Sequence, residues 1–282
     1  MELEIKAYGK INLALDVVSK REDGYHNIDT IMQEINLHDL ISIETGRNSF
    51  ALTCDDSRLE LNEDNLVYKA WDQMRKIYDG DPSVNIHIEK NIPLAAGLAG
   101  GSTDCAATIK GLNEFWNLNL SIEEMAKIGV ELGADVPFFF YGGMQRARGI
   151  GERLDKINTN KNYQVVLLSN NNSISTKYVY ENIGKLDNEI DIAMIKKLIE
   201  DDSELAFKYL KNKLEEVSFL IYPELEQMKR DLKNEGALAS LMSGSGPTIF
   251  GLFEDMESAD RAVSKLSNKY FNIIRTETRN NG

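Results

Sequence analysis

The sequence predicts an α+β protein whose 282 residues fold into two domains. Two long runs of alternating apolar and polar residues at the start of the chain are typical of half-buried strands. A glycine-rich stretch then joins a further predicted strand to a helical pattern. After residue 155 the composition changes, and the predicted order becomes strand, helices, strand, strand, helix, strand. We therefore expect one domain over residues 1–155 and a second over residues 156–282.

The composition argues against several classes of function. A net charge of −13 disfavours non-specific binding to nucleic acid or to a membrane surface. With 42% hydrophobic and 27% charged residues, the sequence is typical of a soluble globular protein. Cys54 and Cys105 have neither metal-site nor disulfide spacing, which favours a reduced, cytoplasmic setting. The first residues lack the apolar core of a signal peptide, and no apolar run approaches the roughly 18 residues of a membrane span.

Residues 2–19 predict a first strand or a bent pair of strands. The two-residue period places Lys10 and Asn12 together on the face opposite Leu13 and Leu15. A lysine in such a position usually lies on a solvated strand face. The alternative is that both polar side chains point into a cleft, and the sequence leaves the two interpretations open.

A turn follows at Arg21–Asn27, because Asp23-Gly24 is a hairpin signal. The adjacent Tyr25 and His26 also have two interpretations. Either they stack on and hydrogen-bond a flat ligand such as a base, or they are surface aromatics at the edge of a loop. Residues 28–43 then predict a second strand.

Three elements are predicted in the middle of the first domain. Residues 44–63 are polar and are expected to be irregular. Asn65 to Ile77 has the apolar spacing of an amphipathic helix, and Val84–Glu89 alternates like a half-buried strand.

The stretch Pro93–Ala107 holds three glycines within five residues, and Ser102 is a good N-cap for the helical pattern that follows. Glycines let the backbone approach a bulky anion, and the first turn of a helix offers free N–H groups. The stretch therefore predicts either a polyphosphate site or an ordinary tight turn. Asp104, one turn into the helix, would repel a phosphate unless it meets backbone N–H groups or a metal ion.

A capping box at Ser121 to Glu124 opens the next predicted helix, and Gly133 suits the position after its end. Asp135 follows, held beside Pro137 and three phenylalanines. These apolar neighbours would favour uptake of a proton by the carboxylate, as a general base requires. The alternative is an ordinary N-cap aspartate for a helix that starts near Pro137.

The second domain is predicted to begin with a buried strand. Its elements in order are a strand at Tyr163–Ser169, a short helix from Ser175 that carries Tyr178 and Tyr180, mostly helical chain over 189–235, strands at Leu238–Met242 and Thr248–Phe253, a helix at Asp255–Tyr270 and a strand at Phe271–Thr276. The order of strands and helices is ferredoxin-like.

Three stretches, in this order along the chain, resemble the GHMP kinase superfamily: Lys10-Ile11-Asn12, Pro93–Ala107 and Ser243–Pro247. Asp23–His26 and Gly133–Phe139 narrow the resemblance to members that act on a cytidine diphosphate-linked substrate. The resemblance implies the two-domain GHMP kinase fold. Its N-terminal domain is like the second domain of ribosomal protein S5, its C-terminal domain is ferredoxin-like, and the active-site cleft lies between them.

The resemblance implies transfer of the γ-phosphoryl group of ATP, carried with Mg²⁺, to the 2-hydroxyl of a cytidine diphosphate-linked methylerythritol in the non-mevalonate route to isoprenoid precursors. It also implies that Asp135 is the general base and that Lys10 stabilises the acceptor alkoxide and the Asp135 carboxylate. The residues it implies for ATP binding are Asn65, Pro93, Leu94, Ala95, Ala96, Gly97, Leu98, Ala99, Gly100, Gly101, Ser102 and Thr103. Those it implies for the cytidine substrate are Asn12, Tyr25, His26 and Tyr180.

Ala99 departs from the family pattern, in which a glycine is usual at this position. A methyl group there is expected to be tolerated only at negative φ. The alternatives for function are another GHMP small-molecule kinase, of the homoserine or mevalonate type, and a non-catalytic nucleotide-binding protein. We expect a small-molecule partner, no nucleic acid or membrane, and a monomer or weak homodimer. The resemblance assigns no metal ligands.

Overall fold

The computed structural model describes residues 2–46, 50–170, 172, 174–186 and 189–280. The chain divides into two compact units. Unit 1 comprises Met1–Gly9, Leu37–Leu94 and Ala99–Tyr141, and unit 2 comprises Lys10–Asn36, Ala95–Leu98 and Gly142–Gly282. Within the described ranges, no helix has both the length and the apolar character needed to cross a membrane.

The described residues form alternating groups of strands and helices, as the α+β prediction expects. The strands are β1 (Glu2–Lys20), β2 (His26–Thr45), β3 (Ala51–Cys54), β4 (Val84–Glu89), β5 (Met144–Gly149), β6 (Arg153–Lys156), β7 (Gln164–Ser169), β8 (Ala239–Met242), β9 (Ile249–Phe253) and β10 (Asn272–Glu277). The helices are α1 (Leu66–Met74), α2 (Gly100–Phe115), α3 (Ile122–Leu132), α4 (Phe138–Tyr141), α5 (Thr176–Glu181), α6 (Ile192–Glu200), α7 (Ala206–Tyr209), α8 (Glu215–Ile221), α9 (Pro223–Asn234) and α10 (Met256–Leu266).

Unit 1 packs helices on a small sheet. In this unit the end of β2 pairs antiparallel with β4, and β3 pairs parallel with β4 on its other side. Helix α2 lies against the sheet through Gly111, where an added Cβ would approach Ile5 Cδ1 to 2.3 Å and Ile43 Cδ1 to 2.6 Å. Helix α1 packs along α2 and buries Val67 and Ala70, as its predicted apolar spacing requires.

Unit 2 contains a four-stranded antiparallel sheet with the strand order β10-β7-β9-β8. The ferredoxin-like order predicted from the sequence is therefore confirmed. Helices α9 and α10 pack on this sheet, and their buried residues join one hydrophobic core with Leu15 and Val17 of β1. The first half of β2 pairs in the same unit with β5, which pairs with β6.

Three local predictions differ from the structure. Strand β3 lies inside the segment expected to be irregular. Helix α2 begins at Gly100, with Ala99 as its N-cap, so Ser102 lies in the first turn and is not the cap. Gly133 ends α3 with φ −177° and ψ 145°, an extended conformation that any residue adopts. The capping box of α3 is confirmed, since Ser121 and Glu124 bond each other's backbone N–H.

Candidate functional site

Lys10 is buried in β1, only 4% exposed, and belongs to unit 2. Its Nζ donates to Asn12 Oδ1 at 2.6 Å and to the carbonyl oxygen of Gly97 at 3.1 Å. Asn12 Nδ2 in turn donates to Thr30 Oγ1 at 2.9 Å, which fixes the amide with its oxygen toward the lysine. The predicted pairing of Lys10 with Asn12 on one strand face is confirmed, and the solvated-face interpretation is wrong, because both side chains are buried.

The Gly97 carbonyl is also held by the loop between β8 and β9. Ser243 Oγ donates to it at 2.9 Å, and a Cβ on Gly97 would lie 2.2 Å from Ser243 O. Asn212 supports the same loop by donating from Nδ2 to Met242 O at 2.7 Å and to Gly244 O at 2.8 Å. Unit 2 therefore brings together Lys10-Ile11-Asn12, the Ser243–Pro247 loop and residues 95–98 of the glycine-rich stretch. These belong to the three stretches that resemble the GHMP kinases. Sequence reasoning missed Asn212, which has no local motif to mark it.

The backbone of the glycine-rich stretch alternates into the left-handed region. Ala95 has φ 52°, Gly97 has φ 76° and Ala99 has φ 57°. The expectation that Ala99 would need a negative φ is therefore wrong, because this alanine accepts the strained conformation. A left-handed non-glycine residue costs about 1–2 kcal/mol.

The first turn of α2 lies in unit 1 and has features suited to anion binding. Ala99 as N-cap offers no side-chain oxygen to the first-turn amides. The N–H of Thr103 bonds Ala99 O at 3.0 Å, while Gly101 is exposed and Ser102 is half-buried. Free N–H groups and the positive end of the helix dipole make such a turn suited to phosphate.

In unit 1, Asp104 forms a buried cluster with Lys90 and Asp39. Lys90 Nζ donates to Asp104 Oδ2 at 2.8 Å and also to Asp39 Oδ2. Burial raises the pKa of the Asp104 carboxyl to about 8, although Lys90 acts in the opposite direction. Burial alone would lower the pKa of Lys90, but the two carboxyls outweigh it and raise that pKa. The Asp104 side chain therefore contacts a buried lysine and not the backbone N–H groups of the first turn.

Asp135 lies in the turn between α3 and α4 and is half-buried. The turn is closed by the N–H of Val136, which donates to Gly133 O at 3.1 Å. Lys110 of α2 holds α4 by donating to Phe139 O at 2.5 Å. A Cβ on Gly133 would lie 4.0 Å from Ser102 Oγ. Unit 1 therefore places the turn that carries Asp135 beside the first turn of α2.

Asn65 caps α1 in unit 1. Its Oδ1 accepts from the N–H of Val67 at 2.8 Å, and its Nδ2 donates to Glu60 O at 2.8 Å. The next residue, Leu66, has its Cδ1 3.8 Å from the Cβ position of Gly101. The starts of α1 and α2 are thus adjacent. The ATP-binding role of Asn65 stays a prediction.

Two of the three aromatic residues expected at the cytidine substrate, His26 and Tyr180, are in contact in unit 2. The rings of His26 and Tyr180 are stacked, with centroids 5.4 Å apart and an interplanar angle of 30°. Tyr25, by contrast, is 62% exposed. Burial, and less strongly the charge of Lys20, lowers the pKa of His26. The imidazole is therefore neutral at pH 7 and offers one donor and one acceptor.

The described residues contain no group of three or more His, Cys, Asp or Glu side chains that could hold a metal ion. Mg²⁺ commonly keeps several waters and binds through substrate phosphates with one or two carboxylates.

Comparison with known proteins agrees with this geometry. Residues 65–143 match the family described as GHMP kinases N terminal domain, and residues 187–272 match GHMP kinases C terminal. The chain is 41% identical over 287 residues to 4-diphosphocytidyl-2-C-methyl-D-erythritol kinase of Clostridium perfringens (strain 13 / Type A), covering 99% of this chain and 100% of the relative.

Two solved structures have a similar fold over nearly the whole chain. A crystal structure of 4-(cytidine 5'-diphospho)-2C-methyl-D-erythritol kinase matches with a TM-score of 0.84 and 30% identity, covering 99% of this chain and 100% of that chain. L. major mevalonate kinase in complex with R-mevalonate matches with a TM-score of 0.77 and 17% identity, covering 99% of this chain and 97% of that chain. At 17% identity the second likeness concerns the fold alone.

Proposed function

The chain belongs to the GHMP kinase family and is a small-molecule kinase with the two-domain fold of that family; from this premise we propose that it phosphorylates the 2-hydroxyl of 4-diphosphocytidyl-2-C-methyl-D-erythritol with ATP. One observation carries the choice of substrate. Identity to the Clostridium perfringens relative of that name is 41% over essentially the full length of both chains. The predicted domain boundary at residue 155 stays a prediction; it falls between the two matched family segments.

In this proposal Asp135 is the general base for the acceptor hydroxyl and Lys10 stabilises the developing alkoxide. Phosphoryl transfer depends on positioning and charge neutralisation more than on covalent chemistry. Two acceptor oxygens, Asn12 Oδ1 and Gly97 O, already hold the Lys10 ammonium, so little side-chain freedom is left to lose during the reaction. The Phe138–Phe140 run next to Asp135 is buried, and we propose that it limits access of water to the base.

ATP is proposed to bind along Pro93–Thr103, with its phosphates on the first turn of α2. The uncapped amides of that turn and the left-handed backbone before it support this assignment. Asn65 is proposed as a further contact because α1 starts beside α2. Mg²⁺ supplies charge neutralisation when it is bound to the nucleotide.

The cytosine base is proposed to stack on Tyr25 and Tyr180 and to hydrogen-bond His26, with Asn12 also contacting the substrate. The stacked His26–Tyr180 pair and the neutral imidazole support this. We further propose a place in the non-mevalonate route to isoprenoid precursors and a cytoplasmic location. The oligomeric state is proposed to be a monomer or weak homodimer.

The deciding experiment supplies the purified protein with MgATP and one acceptor at a time, and follows both ADP release and the phosphorylated product by ³¹P NMR. The acceptors are 4-diphosphocytidyl-2-C-methyl-D-erythritol, mevalonate and homoserine. We expect turnover only with the first. Turnover with mevalonate or homoserine alone would assign the chain to another branch, and binding of ATP without any turnover would support a nucleotide-binding protein.

A further inference from the structure

The buried cluster of Lys90, Asp39 and Asp104 has no part in the function proposed above. All three side chains are at most 3% exposed, and one ammonium serves both carboxyl groups. Asp104 Oδ1 is buried without a hydrogen-bond partner in the described part of the chain. If both carboxyl groups were ionised, the cluster would carry one uncompensated negative charge.

The cluster lies directly beneath the start of α2. A Cβ on Gly100, the first residue of the helix, would lie 3.3 Å from Lys90 Nζ. Asp104 follows four residues later, which is about 6 Å along the helix axis. Charges interact strongly over such distances where water is excluded. The net charge of the cluster therefore acts on the turn where phosphates are proposed to bind.

The hydrogen bonds divide the two carboxyl groups into unequal partners. Asp39 Oδ1 accepts two further bonds, from the N–H of Asn91 at 2.6 Å and of Ile92 at 2.7 Å. Both oxygens of the Asp39 carboxyl group therefore accept hydrogen bonds. The Asp104 carboxyl has Lys90 as its hydrogen-bond donor and one oxygen left over. The proton of the cluster therefore belongs on Asp104, in line with its pKa of about 8.

We propose that Asp104 is a positioning residue for nucleotide binding: its proton removes the uncompensated negative charge beneath the first turn of α2, and binding of a polyphosphate is coupled to proton uptake at Asp104. The identity of this polyphosphate as a nucleotide rests on the function proposed above. An anion on the turn disfavours ionisation of Asp104, so the carboxyl holds its proton to a higher pH in the complex than in the free protein. The affinity for the polyphosphate is then highest below about pH 8 and falls as the pH rises above that value.

Other ionisable groups surround the cluster and enter the pH profile. Next to Asp104 on α2, burial and the Asp104 charge raise the pKa of Cys105. After β3, Asp55 accepts the backbone N–H of Lys90 at 2.9 Å, and Cys54 and Asp56 also sense the Lys90 charge. The elements packed on α2 carry further charged groups, and these include Lys69 and Asp72 on α1, Glu123, Lys127 and Glu131 on α3, and Asp135 after α3. The test must therefore isolate Asp104 by substitution.

The test measures the Kd of MgADP between pH 7 and 9.5 by titration calorimetry, in pairs of buffers with different ionisation enthalpies. For the unaltered protein we expect uptake of a fraction of a proton near pH 8 and a Kd that rises about tenfold across the range. A tenfold change in Kd corresponds to a difference of about one unit between the pKa of Asp104 in the complex and in the free protein. Asp104→Asn keeps the shape and is always neutral. It should bind MgADP at pH 9.5 nearly as well as at pH 7, with no proton uptake.

Glu215→Gln is the matched control, because Glu215 is also a buried carboxyl paired with one lysine, Lys229, and burial raises its pKa. This variant should keep the pH slope of the unaltered protein. Equal slopes for the unaltered protein and Asp104→Asn would overturn the proposal. Absence of proton uptake by the unaltered protein would overturn it even if the variant failed to fold. Failure of MgADP to bind at any pH would instead contradict the proposed kinase function.

Discussion

At the scale of single residues, Asp135 is the sharpest test of the proposed chemistry. Asp135→Asn preserves size but cannot accept the hydroxyl proton, so kcat should fall by about 10²–10⁴-fold. MgADP binding should persist, because the first turn of α2 is unchanged. Steady-state kinetics and calorimetry measure the two effects separately. Glu131→Gln, an exposed carboxyl on α3, is the control and should keep normal turnover. A near-normal kcat in Asp135→Asn would contradict the assignment of Asp135 as the general base.

Tyr180 tests the cytosine assignment, also at the residue scale. Its ring stacks on His26, and loss of one base–aromatic stack costs about 1–3 kcal/mol. Tyr180→Ala should therefore raise KM for the cytidine substrate by about tenfold or more, while KM for ATP stays the same. Tyr178→Ala removes a 52%-exposed ring from the same helix and is the matched control. Equal KM values for both variants would refute stacking at Tyr180.

At the scale of elements, the sequence predicts best what is local. The α3 capping box needs only Ser121 and Glu124, three residues apart, and it is present as predicted. Strand β3 is not predictable from the sequence, because it has only four residues, none of them fully buried, and pairs parallel with β4. A strand of that kind lacks the clear apolar alternation that marks β1 or β4.

Ala99 allows a test of how backbone strain at the N-cap of α2 affects the stability of the protein. With φ 57° it forms the N-cap of α2 in the left-handed region, where glycine is not strained. Ala99→Gly should relieve about 1–2 kcal/mol of strain and lose about 0.5–1 kcal/mol to unfolded-chain entropy, a net gain of up to about 1.5 kcal/mol. Denaturant unfolding measures this difference.

Ala107→Gly is the control for that prediction, because Ala107 lies buried within the same helix. There glycine should destabilise by about 1 kcal/mol or more. A loss of stability in both variants would mean that the left-handed alanine is not strained in this loop.

At the scale of the whole molecule, the sequence indicates candidate site residues but not most of their contacts. Lys10 and Asn12 were paired correctly because a strand has a fixed period. The bonds from Lys10 and Ser243 to Gly97 join residues 87 and 146 positions apart, which no local pattern encodes. The same holds for the Lys90 cluster, whose members come from β2, the end of β4 and α2. Long-range pairing of this kind follows from topology, which single-sequence patterns do not contain.

Ligand-induced stabilisation tests specificity on the intact protein. A ligand that binds only the folded state at 100 times its Kd stabilises it by about 2.7 kcal/mol. For a chain of this size that corresponds to a rise in Tm of roughly 5 °C. We expect CDP and CMP to raise Tm because both present the cytosine that His26 and Tyr180 are proposed to bind, whereas mevalonate and homoserine at equal concentration should not. Uridine monophosphate is the matched control, since it keeps the ribose and phosphate but changes the base edge. A shift with mevalonate and none with CDP would place the chain on the other branch of its family, and equal shifts with the cytidine and uridine nucleotides would mean that the phosphate, not the base, is recognised.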